Sequence, residues 1–237
     1  MHFLWLIDRA GKAGKPDANG KIVYINSIDQ VLHDTKVPLK PGKIKELLKD
    51  VCRGMAYLHN FSPPIIHRDL KPANLLVTKT LQVKICDFGL SVQKKIIGVG
   101  TDDGSSPRTS SPGADGEGED DDTGVGDQLG GTAPYSAPEV LLGKELDTGC
   151  DVFSFGVIIW EMFSRRRPWH GVHVARISQL VGFDDERLPI SDEVASLGDG
   201  SIKAIVEECW QLKPGDRPKF PVLIDRIEAS DAGTAGV

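Results

Sequence analysis

Residues 67–74 read HRDLKPAN, and two further short runs follow in order, DFG at residues 87–89 and APE at residues 137–139. Taken alone, Asp69 would be a solvated loop acid and His67 a packed structural histidine, because short motifs recur by chance. An ordered set at fixed offsets is much harder to reach by accident. Working outward, residues 41–60 place Ile44, Leu47, Leu48, Val51, Met55 and Leu58 on one stripe of a helix, with Lys43, Lys45, Glu46, Lys49 and Asp50 on its other face. Pro63 and Pro64 end that helix. Around the first motif, the apolar runs 65–66, 75–77 and 83–85 lack a helical period and read as brief strands. Downstream, residues 151–163 are nearly all apolar or small, which predicts a central helix hydrophobic on most of its circumference. Residues 173–181, 201–211 and 220–227 read as amphipathic helices separated by Gly, Pro and Asp. The expected class is mainly α (α+β), a helical body with a small strand-and-loop insert and no internal repeat.

The chain has 237 residues, 40% hydrophobic and 26% charged, an ordinary globular balance with enough length to bury a core of its own. Its net charge of -6 is uneven: residues 98–130 hold nine acids and one base, Arg108, or -8, which leaves +2 for the rest. The same 33 residues contain nine glycines and almost no large apolar side chain. They cannot bury enough surface to offset the entropy of ordering, so a disordered insertion is expected. No basic stripe with interleaved aromatics points to nucleic acid. The longest apolar runs, 3–7 and 155–160, fall far short of the roughly 20 residues of a membrane helix, and no membrane segment is expected. The N-terminus lacks a basic flank and a small-residue cleavage site, so no secretory signal is read. Cys52, Cys86, Cys150 and Cys209 form no CxxC pair, which suits reduced thiols in a cytoplasmic chain.

With DVFSFGVIIWEM at residues 151–162, RRRPW at 165–169, Cys209-Trp210 and the Arg217 of DRP, the sequence resembles the protein kinase family over at least residues 41–228. The resemblance implies a kinase-like C-terminal lobe that transfers the γ-phosphoryl group of ATP, with Mg²⁺, to a protein hydroxyl. Phosphoryl transfer rests on positioning and on neutralising phosphate charge. By resemblance, Asp69 orients the substrate hydroxyl and accepts its proton, and Lys71 touches the transferred phosphate. Asn74 offers a neutral oxygen and Asp87 a charged one, a set that suits the hard cation Mg²⁺. Leu76 resembles the apolar floor under the adenine, and Glu139 with Arg217 the family's buried ion pair. His67 is expected to support the loop, and Arg68 to receive a phosphate from the activation segment. SFGVIIWEM, RPW, LPI and ECW resemble the tyrosine-kinase-like (Raf/MLK-like) group. Lys71 and the run GTAPYSAPE at 131–139, with Thr132 reaching the catalytic carboxylate and lysine, imply Ser/Thr substrates.

The sequence departs from the family upstream. It holds no GxGxxG loop, no VAIK-type strand lysine and no helix glutamate to pair with it. With a short helix at 27–34 after the hinge, only 26 residues precede it, too few for five strands of about 5 residues and a helix of about 11. The expected organisation is therefore an upper-lobe and hinge remnant at 1–26, with strands at 3–7 and 21–25, then the lobe at 27–228, the insertion at 98–130 and a flexible tail at 229–237. Ser106-Pro107 and Ser111-Pro112 are plausible acceptor sites for an upstream kinase. The expected function is a Ser/Thr protein kinase, truncated and weakly active or inactive alone. The alternative is a non-catalytic, pseudokinase-like interaction module that binds a partner kinase or substrate.

Overall fold

The computed structural model describes residues 24–33, 39–78, 81–93 and 133–230. The expected strand at 3–7, the insertion at 98–130, Thr132 and the serines at 106 and 111 lie outside the described residues.

Strand β1 (Tyr24–Ser27) runs directly into helix α1 (Ile28–His33). The junction is a capping box: the Gln30 N–H donates to Ser27 Oγ (3.3 Å), and the Ser27 N–H donates to Gln30 Oε1 (2.9 Å). Helix α2 (Pro41–His59) opens on a proline whose fixed φ suits a first turn; Ile44, Leu47, Leu48, Val51 and Met55 of its expected stripe are buried and Leu58 half-buried, while Cys52 beside the stripe and Lys45 and Lys49, expected on the outer face, are buried as well. Strands β3 (Leu75–Thr78) and β4 (Val83–Ile85) form an antiparallel hairpin with Leu75 opposite Ile85 and Val77 opposite Val83. β1 pairs with the other edge of β3, giving the sheet order β1-β3-β4. Strand β2 (Ile65–Ile66) pairs with β5 (Val92–Gln93) in a second, two-stranded sheet. β5 was not legible in the sequence, because Val92-Gln93 is not an apolar run like Ile65-Ile66.

Beyond the motifs lie α3 (Pro138–Leu141), α4 (Gly149–Ser164), α5 (Val174–Ile177), α6 (Asp192–Ala195), α7 (Ser201–Cys209) and α8 (Phe220–Ala229). Fourteen of the 16 residues of α4 are buried, so it is central as its composition predicts. α7 packs on α4, and α8 lies along α2. Phe155 of α4 meets Phe220 of α8 edge to face, with ring centroids 5.4 Å apart, which ties these layers into one core. The regular helix expected over 173–181 is not formed. α5 lasts one turn and widens into a π-helical stretch, Ser178–Phe183, which brings Gly182 so close to Leu142 that a Cβ would stand 3.1 Å from its Cδ2.

Candidate active site

The loop that carries HRDLKPAN is held from below by Asp151, in the first turn of α4. Its carboxylate is fully buried and accepts the backbone N–H of His67 (2.9 Å) and of Arg68 (2.9 Å), with the His59 ring nitrogen Nε2 2.8 Å away. These bonds hold Arg68 at φ 68°, a left-handed conformation a long side chain rarely adopts. His67 is fully buried. Its Nδ1 accepts the Asp69 N–H (3.3 Å), so the ring hydrogen sits on Nε2 and donates to the Cys86 carbonyl (3.0 Å). The histidine thus ties the loop to the strand end that precedes Asp87, the supporting place expected of it.

Asp69, Lys71 and Asn74 meet in one cluster. The ammonium of Lys71 lies 2.9 Å from each carboxylate oxygen of Asp69. The Asn74 amide nitrogen donates to the Asp69 backbone carbonyl (2.8 Å) and to its Oδ2 (2.9 Å). Both partners are acceptors, so the nitrogen must face them, and the amide oxygen takes no part in these bonds. A 3₁₀ turn, Pro72–Asn74, makes the five-residue spacing fold back in this way.

The Cys86 N–H donates to the Asn74 carbonyl (2.9 Å), and with Leu75 opposite Ile85 this brings the residues before Asp87 beside Asn74. Asp87 is exposed and left-handed (φ 63°), and its Oδ1 accepts the Gly89 N–H at 3.3 Å. The candidate donor set, the Asn74 amide oxygen and the Asp87 carboxylate, is all hard oxygen, and it fits Mg²⁺. The Cys86 thiol between them is pushed up to about 11, by burial first and then by the charges of Asp87 and Asp69, and is inert as a nucleophile. Leu76 is half-buried on the face of β3 opposite the buried Leu75 and Val77.

Glu139 and Arg217 form a buried, bidentate pair at 2.6 and 2.9 Å. Arg217 also donates to the carbonyls of Gln211, Leu212 and Gly149, so the charge is enclosed by acceptors. The Arg68 guanidinium has a buried Nε with no hydrogen-bond partner among the described residues. A second polar knot was not legible in the sequence. Glu161 of α4, fully buried, accepts the Tyr135 hydroxyl (2.7 Å) and lies 2.8 Å from the His33 ring, joining α1, α4 and the APE-side turn. Its members are 26 and 128 residues from Glu161 in the chain, and no local pattern links them.

The described helices include none long and apolar enough to cross a membrane, and the four cysteines are free and buried. A helical body, a loop of this build and an acid-bearing strand end together define a kinase-type catalytic lobe. The protein kinase domain family matches residues 21–226, and the chain belongs to that family. It is 37% identical over 202 residues to the probable serine/threonine-protein kinase SIS8 of Arabidopsis thaliana, covering 85% of this chain and 17% of that protein. It is 39% identical over 178 residues to the serine/threonine-protein kinase CTR1 of Arabidopsis thaliana (75% and 18% covered). It is 31% identical over 209 residues to the dual specificity protein kinase shkC of Dictyostelium discoideum (88% and 36%). The chain thus spans well under half the length of these curated relatives.

Proposed function

We propose that the chain is the catalytic lobe of a Ser/Thr protein kinase that moves the γ-phosphoryl group of ATP to protein Ser and Thr hydroxyls. The observation that carries this reading is the cluster in which the Asp69 side chain is held by both Lys71 and Asn74. Asp69 orients the incoming hydroxyl and takes its proton as the oxygen attacks phosphorus. Lys71 balances negative charge on the transferred group. Asn74 and Asp87 hold Mg²⁺, which neutralises phosphate charge when bound. Leu76 forms the floor under the adenine. Arg68, whose Nε has no hydrogen-bond partner among the described residues, takes a phosphate placed on the activation segment, the acceptors being Ser106 or Ser111.

The sequence holds no GxGxxG run and no VAIK-type run, so slow transfer by this chain alone is expected. Incubation with γ-labelled ATP, Mg²⁺ and a mixed Ser/Thr/Tyr peptide pool, followed by phosphoamino-acid analysis, tests the reading. Label on serine and threonine, abolished by EDTA, is expected. Label on tyrosine alone would overturn the substrate class. Metal-independent label would overturn the site.

A further inference from the structure

At the C-terminal end of α4, away from Asp69, an open groove of about 510 Å³ has Trp160, Trp169, Leu188 and Pro189 for walls and the guanidinium-bearing side chains of Arg166 and Arg167 on its rim. The walls are fixed. Trp160 is buried, and its indole N–H donates to the Pro189 carbonyl at 2.9 Å. The loop between α4 and α5 carries left-handed backbone at Arg165 (φ 57°), Trp169 (φ 51°) and Gly171 (φ 78°), two of them residues with a Cβ, and strain of this kind concentrates at binding surfaces. Arg165 is spent inside the fold, donating to the Leu32 carbonyl at 2.9 Å. Arg167 pairs with Asp29 at 2.8 Å. Arg166 is exposed and has no acid partner among the described residues, so the rim carries more positive than negative charge.

We propose that this groove docks an acidic peptide segment of a partner protein, with an aromatic side chain laid against Trp169 and a carboxylate paired with Arg166. Indole faces suit an aromatic ring, and the guanidinium fork suits a carboxylate. Two arginines at one groove are too few for a nucleic-acid track, which needs a row of phosphate contacts. The docking does not depend on phosphoryl transfer.

Fluorescence anisotropy of a fluorescein-labelled peptide EEDFPEE titrated with the full chain tests it, alongside KKNFPKK and a labelled oligo-dT of similar length. Saturable binding of the acidic peptide is expected, weakened roughly fivefold by R166E and by raising salt from about 0.05 to 0.5 M. An unchanged melting temperature should show that R166E is folded. The proposal is overturned if KKNFPKK binds as well, if oligo-dT binds as tightly, or if R166E binds like the wild type. It is also overturned if binding appears only in the full chain with Glu119→Gln and Asp120, Asp121 and Asp122 changed to Asn, because the occupant would then be the chain's own acidic stretch.

Discussion

Asp151 is the residue on which the loop's conformation turns. Its two oxygens accept two consecutive backbone N–H groups and face the His59 ring, which fixes the left-handed turn at Arg68 directly before Asp69. Asp151→Asn places an amide N–H₂ against donors and leaves at least one buried group unsatisfied. The expected loss is about 1–3 kcal/mol, read as a lower urea midpoint with unchanged slope. A loss below about 0.5 kcal/mol, the level of an ordinary surface change, would contradict this role. Glu161 supports a pH prediction. Burial raises its carboxyl above the ordinary value of 4.5, against hydrogen bonds from Tyr135 and His33 that favour the charged form. The folded protein therefore holds this proton more tightly than the unfolded chain, and stability from this group falls as pH rises from about 4.5 through the raised value. Glu161→Gln removes that slope, so urea midpoints measured between about pH 4 and 7 should move in the variant's favour as pH rises and then level off. A constant difference across the range would refute the raised carboxyl.

At the scale of elements, α4 depends on a glycine in its middle. A Cβ on Gly156 would stand 2.7 Å from Cys209 Cβ and 2.7 Å from Trp210 Nε1, so α7 and the turn after it must move to admit one. Alanine is the better helix former by about 1 kcal/mol, yet overpacking here should outweigh that and leave Gly156→Ala about 1–3 kcal/mol less stable by denaturant titration. A stabilised variant would mean that α7 gives way easily. Elements marked by their apolar pattern were legible in the sequence: the stripe of α2, the all-round apolar α4 and the short apolar runs of β3 and β4. The π-helical widening at Ser178–Phe183 was not, because the apolar spacing of residues 173–181 fits a regular helix as well and the close approach of Gly182 to Leu142 is a tertiary contact. The cluster of Asp69, Lys71 and Asn74 was legible because all three sit within six residues of one motif. Asp151 stood inside a recognised run, but its hold on a loop 83 and 84 residues earlier is a tertiary fact that no spacing encodes.

At the scale of the molecule, the face beside Asp87 exposes Phe88 and Leu90, each 45% accessible, a high value for large apolar side chains next to a candidate site. In the proposed function, the nucleotide's phosphates would meet Asn74, Asp87 and Lys71 here, and the sequence holds no GxGxxG loop to cradle them. Each missing charged hydrogen bond costs about 1.5–3 kcal/mol, so calorimetric titration with MgATP should give binding weaker than roughly 10 μM. Tighter binding would show that other residues of this chain supply the cradle. In the proposed function, Asp69 is the base of the phosphoryl-transfer site. The rate of γ-phosphoryl transfer by wild type and by Asp69→Asn, purified side by side and matched in melting temperature, tests it most directly. Asparagine keeps the shape and cannot take a proton, so the rate should fall by roughly 100-fold or more. Rates within about twofold of each other would contradict the claim, since loss of a general base removes about 10²- to 10⁴-fold.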